Sequence, residues 1–259
     1  MKQLFIFTLI LTALCLTSSL PQSPALAQQT KTASAAQAVD AERIVSALKT
    51  KEREFRKALS NYGFRREAVM QTIGMGRQIS GEYYRVSHLT FDSQGKLQER
   101  IIKFPIPGLP IAPEDLVDLD TIHIFAVEAE KMDQYYFKYV GKERVDELDT
   151  YIFDVGPKVM PAARPNGERF FQGRIWVDDR DMQIVKARGK GVPEGKQRFP
   201  TFDYYREQVD GRYWFPSYTY ADEDLMLPNG NVYRIKMRIR FTDHERTGGN
   251  AKATEKGQP

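Results

Sequence analysis

The sequence predicts a mainly β fold, an α+β arrangement in which one strongly curved antiparallel sheet wraps over an N-terminal helix and short helices. Three observations predict it. The hydrophobic period is helical over residues 40–61 and changes to two from residue 64 onward. Turn signals then recur at short intervals between candidate strands. Aromatic residues are abundant, with 15 Phe, 13 Tyr and 2 Trp, and many fall in those strand-like stretches, where rings are favoured.

At the start of the chain, Lys2 precedes an apolar stretch from Leu4 to Leu16, and Ala25-Leu26-Ala27 offers a small-residue cleavage pattern. A membrane-spanning helix takes roughly 20 apolar residues, more than this stretch provides. The expectation is a cleaved signal peptide over residues 1–27 and export to the periplasm. Cys15 is the one cysteine and lies inside that segment. Leu14 precedes it where lipoprotein processing prefers a small residue, so no lipid anchor is expected. The exported chain then has no cysteine for a disulfide, a thiolate metal site or a thiol nucleophile. Residues 28–38 read as a flexible leader, 39–244 as a single domain, and the Gly-, Lys- and Glu-rich 245–259 as a disordered tail.

Within the domain, Asp40 is placed to cap a helix and Glu42 to complement its first turn. Val45, Leu48, Phe55, Leu59 and Tyr62 fall mostly on one face, with Gly63 as the stop signal. Lys49, Lys51, Glu52, Arg53, Glu54, Arg56 and Lys57 are expected on the other sides. Residues 64–75, 79–92 and 97–104 read as strands, with Ser93-Gln94-Gly95 as a turn and Gly74-Met75-Gly76 as a turn or bulge. Pro105, Pro107, Pro110 and Pro113 then forbid a central strand. This stretch reads as a loop leading into a short helix that Pro113 opens. Six or seven strands follow from about Tyr135 to residue 242, separated by Asp146-Glu147, Pro165-Asn166-Gly167, Asp178–Asp181, Asp210-Gly211 and Pro228-Asn229-Gly230. The last strand alternates most clearly. Tyr233, Ile235, Met237, Ile239 and Phe241 share one face, and Arg234, Lys236, Arg238 and Arg240 share the other.

Chemistry-bearing patterns are sparse. His88, His123 and His244 stand far apart without metal-ligand spacing, and each reads as a surface or strand histidine. No G-x-S-x-G elbow, Walker loop or dinucleotide loop occurs. The acids Asp178, Asp179 and Asp181 read as a hairpin turn rather than a calcium loop, which needs a terminal bidentate Glu. The basic stripe on the last strand lacks the interleaved aromatics of a nucleic-acid surface and reads as a solvated sheet face. With a formal charge of only +4, no polyanionic partner is implied. The expectation is a protein that is not an enzyme and has no cofactor, no metal site and no nucleic-acid partner.

Three stretches carry a resemblance: Tyr139–Val155, Gly173–Lys186 with Trp176 and its acidic turn, and Phe202–Pro216 with Asp210-Gly211 followed by Trp214 and Pro216. Their order resembles the outer-membrane lipoprotein-sorting, LolA-like superfamily, over about residues 135–220. The resemblance implies a half-open antiparallel barrel with helices covering its concave face. It also implies a non-catalytic periplasmic carrier whose partners are lipid or lipoprotein acyl chains, with transient membrane contact. The alternative on the same fold is an envelope sensor or protein-interaction module of the RseB type, with an envelope protein partner. Arg77 and Arg85 are the candidates for the arginine that holds the lid in carriers of that family. The proline loop, residues 105–118, is expected to be a mobile cover. The hydrophobic ligand is expected to lie against Tyr233, Ile235, Met237, Ile239 and Phe241, with Trp176, Trp214 and Tyr218 placed beside that face.

Overall fold

The computed structural model describes residues 39–74, 76–165, 167–195, 199–226 and 230–247. The expected signal peptide and leader lie outside the described residues, as do Met75, Asn166, Pro228, Asn229 and the tail beyond Thr247. The chain divides into Met1–Val39 and Asp40–Pro259, and the second unit carries every element below.

Helix α1 spans Ala41–Leu59. The Asp40 carboxylate accepts from the Arg43 N–H at 3.0 Å. Glu42 in the first turn and Arg56 and Lys57 in the last turn complement the helix dipole. The helix ends before Gly63. Asn61 Nδ2 and the Ser60 hydroxyl each donate to the Lys57 carbonyl at 2.8 Å, so the last turn is capped without a glycine. The buried stripe is Ile44, Leu48, Glu52, Phe55 and Leu59. Two things differ from expectation: Ile44 joins the core-facing stripe, against which Val45 packs half-buried, and Glu52 is buried rather than solvated.

Ten strands form one antiparallel sheet in the order β3-β2-β1-β10-β9-β8-β7-β6-β5-β4. Strands β1 (Tyr62–Ile73), β2 (Ile79–Phe91) and β3 (Leu97–Lys103) make a meander. Strands β4 (Tyr135–Val145), β5 (Leu148–Pro157), β6 (Phe170–Asp178), β7 (Ile184–Val192), β8 (Phe202–Val209), β9 (Tyr213–Met226) and β10 (Val232–Arg246) make a second, which closes onto β1. The β1–β10 pairing runs from Tyr62↔Arg246 to Ile73↔Arg234. That pairing carries β10 four residues past its expected end and into the segment read as a disordered tail. The edges, β3 and β4, stay unpaired with each other, so the sheet is curved and open, a half-barrel that is mainly β.

Between the two meanders the chain folds back over the concave face as α2 (Pro113–Asp120), α3 (Ile122–Phe125) and a 3₁₀ turn (Ala129–Gln134). One large apolar core joins that face to α1 and α3, with Phe55, Phe64, Phe125, Phe153, Phe171 and Phe215 among its members. Burial of this kind dominates folding free energy, at about 25 cal/mol per Å² of apolar surface. Among the described residues, no helix is long and apolar enough to cross a membrane.

Candidate functional site

Strand register decides which side chains enter the hollow. On β10, burial alternates from Ile235 to Phe241, with Met237, Ile239 and Phe241 buried and Lys236, Arg238 and Arg240 exposed. On β1 the facing partners are Met70, opposite Met237, and Thr72, opposite Ile235. These four, together with Tyr233, Leu225 and Phe202, form the sheet side of a cavity of about 580 Å³. That is within the roughly 300–1,000 Å³ of small-ligand sites.

The opposite wall is the proline segment. Gly108, Leu109, Pro110 and Ile111 lie over the hollow, with Phe199 and Pro200 at one side. The segment joins no ladder, since prolines lack the N–H a ladder needs. It is pinned at one point, where the N–H groups of Gly108 and Leu109 both donate to the Glu82 carbonyl at 2.8 and 3.0 Å. A side chain at Gly81 would meet the Gly108 carbonyl and the Thr72 hydroxyl at 3.0 Å, which is why the cover sits so close to β2.

Behind the cover, α2 is held by two arginines. Arg66 of β1, almost fully buried, donates from Nη1 to the Leu119 carbonyl at 2.6 Å and to Asp120 at 2.9 Å, and from Nη2 to Glu99 at 2.8 Å. No basic residue lies in the last turn of α2, so Arg66 supplies from the sheet the positive charge a helix C-terminus favours. Arg169 grips Asp118 with both forks, at 2.8 and 2.7 Å, and also donates to the Pro193 carbonyl. Gly191 makes room for that pair, because a Cβ there would lie 2.1 Å from Asp118 Oδ2 and 2.7 Å from Arg169 Nη2. Arg77 and Arg85, the candidates from sequence, do neither job. Arg85 is engaged by Glu99 and the Tyr83 hydroxyl, and Arg77 sits at positive φ in the β1–β2 turn.

The floor holds polar groups that sequence reasoning missed. His123 lies in α3, not on a surface or strand, is 5% exposed, and rests against the Phe202 ring at 4.5 Å between centroids. Burial, with a smaller contribution from the Arg66 charge, pushes its pKa down to about 3, so the imidazole is neutral. Its Nδ1 has no hydrogen-bond partner. Asp115 and Asp118 of α2 also line the cavity. Burial raises the Asp115 pKa to about 6, against the Ala112 N–H it accepts at 2.8 Å. Burial likewise raises Asp118, with Arg169 opposing.

Of the residues expected to line the ligand, Tyr233, Ile235 and Met237 border this cavity. Ile239 and Phe241 share their face but lie deeper in the packed core, at 0% and 3% exposure. Trp176, Trp214 and Tyr218 need correction, because all three point to the other, convex face. Ile175 and Val177 flank Trp176, and Phe215 follows Trp214, on the inward side, while Tyr218 precedes the buried Thr219 and pairs with the exposed Arg240, so alternation sends all three outward. Trp176 packs with Ile152 and Val185 under the Lys186 ammonium, and its Nε1 donates to Glu143 at 3.0 Å. Trp214 joins that cluster and donates to Asp181 at 3.0 Å. Tyr218 stacks on Tyr220 with the Arg240 guanidinium above it.

No family model matches the chain, and no curated protein does. Among solved structures, the chain is similar to a LolA superfamily protein from Nitrosomonas europaea, at 12% identity and TM-score 0.40 over 80% of this chain and 94% of that one. It is similar to a DUF1329 family protein from Desulfovibrio piger, at 15% identity and TM-score 0.43 over 81% and 95%. A putative outer membrane lipoprotein-sorting protein domain from Vibrio parahaemolyticus gives 11% and 0.38 over 80% and 95%.

Proposed function

We propose that this chain is a non-catalytic binder of an apolar chain, an acyl chain in the first instance, which it holds in the hollow beneath the proline cover. The observation that carries the reading is the cavity itself: about 580 Å³, walled by Met70, Leu109, Ile111, Phe202, Ile235 and Met237, and left open where the packed core ends. Burying a methylene contributes about 0.8 kcal/mol. Ten of them give roughly 8 kcal/mol before ordering costs, enough in gross terms for micromolar binding. A cover pinned at the Glu82 carbonyl and gripped through α2 can open without breaking the sheet. In this reading the chain works in the periplasm after export, and lipid or lipoprotein is the cargo.

A second reading, a protein-interaction or sensor module, is favoured by one observation. Ile79, Ile106, Met226 and Val232, each close in the chain to a lining residue, are 53–97% exposed, and exposed apolar patches mark contact surfaces. Mass spectrometry of organic extracts from protein purified out of its native envelope separates the two. A co-purifying single-chain amphiphile supports the carrier. A lipid-free extract together with a stoichiometric protein partner supports the module instead.

A further inference from the structure

The cavity is apolar but not uniformly so, and the charged residues of its lining are acids. Asp115 and Asp118 line it, together with His123 and the hydroxyl-bearing Thr72, Ser80 and Tyr233. Among the described residues no lysine or arginine lines it. Asp118 already has both oxygens on Arg169. Arg169 itself is not part of the lining, and its Nε, Nη1 and Nη2 each donate to Asp118 or to the Pro193 carbonyl. Asp115 has one protein donor, the Ala112 N–H. His123 is 95% buried and its Nδ1 meets no partner.

Resting on the acyl-binding reading above, we infer that His123 and Asp115 form a recognition point for the polar end of the ligand. They select a single-chain amphiphile whose head donates a hydrogen bond, such as an alcohol, an amide or an amine, over one that ends in a carboxylate.

The physical reasons are independent of one another. His123 lines the same space as Asp115, and its imidazole, kept neutral by burial, offers a ligand carboxylate no positive charge. At neutral pH Asp115 is mostly ionised, its pKa being about 6. A ligand carboxylate entering the same low-dielectric space would face a like charge, and among the described residues no lysine or arginine of the lining could pair with it. A hydroxyl or amide N–H would instead give Asp115 a second donor.

The test uses the full exported chain loaded with the neutral fluorophore N-phenyl-1-naphthylamine at pH 7.5. The fluorophore is displaced by 1-dodecanol or by dodecanoate, two ligands of equal chain length. Dodecanol should displace it at roughly tenfold lower concentration than dodecanoate. Asp115→Asn should bring the two ligands to within about threefold by admitting the carboxylate. His123→Phe, or His123→Gln if that variant does not fold, keeps the position uncharged and should retain both fluorophore uptake and the preference for dodecanol. Uptake of the fluorophore with equal displacement by both ligands, or a preference unchanged in Asp115→Asn, overturns this inference alone. A wild-type protein that takes up no fluorophore overturns the acyl-binding reading and this inference with it.

Discussion

Arg206 of β8 and Glu52 of α1 meet fork to fork inside the core, Nη1 to Oε1 and Nη2 to Oε2, both at 2.9 Å, with neither side chain more than 1% exposed. Around them, Arg206 Nη2 donates to the Phe125 carbonyl at 2.8 Å and Nε to the Tyr204 hydroxyl at 2.9 Å. That hydroxyl in turn donates to the Ile124 carbonyl at 2.7 Å. The Ile184 N–H donates to Glu52 at 3.1 Å. One ion pair thus ties α1, α3, β7 and β8 into a single block behind the cavity floor.

Removing either partner should be costly. Glu52→Ala or Arg206→Ala leaves an uncompensated buried charge and should lower unfolding free energy by about 3–5 kcal/mol. The double variant Glu52→Ala/Arg206→Ala should lose far less than the two losses added. Urea denaturation of the full cycle checks this, and additive losses would mean the two groups are not coupled.

That pair also shows what the sequence makes legible. Alternation on β10 gives the inward face of Tyr233, Ile235 and Met237, because one wet and one dry face leave a period of two. The same rule was available for Arg206, which follows Phe202 and Tyr204 in the inward register, and for Arg66 between Phe64 and Ala68. Glu52 falls four residues after Leu48 and three before Phe55, on the buried stripe. A charge at an apolar register position is a signal of a buried network, but only the fold reveals its partner. Trp176, Trp214 and Tyr218 failed for the opposite reason: aromatic character was weighed above parity, and parity sends them outward. His123 was unreadable because α3, at four residues, is too short for a period.

Acid should destabilise the protein through its histidines. His123 and His244 have folded pKa values of about 3 and about 4, each lowered chiefly by burial. Each lies below the ordinary 6.5, so the unfolded state takes up protons first. Their contribution is complete above about pH 6.5 and is lost as pH falls toward 4, by several kcal/mol in total at about 1.4 kcal/mol per unit. Urea unfolding between pH 7.5 and 4.5 should show that decline, and His244→Phe should flatten it. An unchanged slope in that variant would assign the decline elsewhere.

Asp115 works in the other direction. Its folded pKa of about 6 lies above its ordinary 3.8, so the folded state holds the proton more tightly. The stability this gives is complete below about pH 3.8 and is lost as pH rises through 6. Asp115→Asn, which can still accept from the Ala112 N–H, should therefore raise stability by about 1–3 kcal/mol at pH 7.5 and hardly at all at pH 4. Equal effects at both pH values would contradict a burial origin.

The cover should open more readily than the sheet. Residues 105–111 join no ladder and are pinned through Gly108 and Leu109 to a single carbonyl, so amide exchange there should be much faster than in Ile235–Phe241. Arg169→Leu, which frees Asp118, should speed exchange in α2 as well. Exchange in 105–111 as slow as in β10 would exclude a mobile cover.

The most direct test of the central claim lies at Met237, which is 3% exposed and borders the cavity opposite Met70. Thermal melting and uptake of the neutral probe N-phenyl-1-naphthylamine would be measured together for Met237→Ala and Met237→Asp. A buried core methionine cut to alanine loses about 2–5 kcal/mol, but a residue lining an open hollow loses less, since one side of it already lacks neighbours. The account predicts that Met237→Ala melts within a few degrees of the wild type yet binds the probe several-fold more weakly. It predicts that Met237→Asp loses binding altogether, because an unpaired carboxylate cannot be buried against an acyl chain. Wild-type probe affinity in Met237→Asp would show that the ligand does not lie against β10, and would contradict the account.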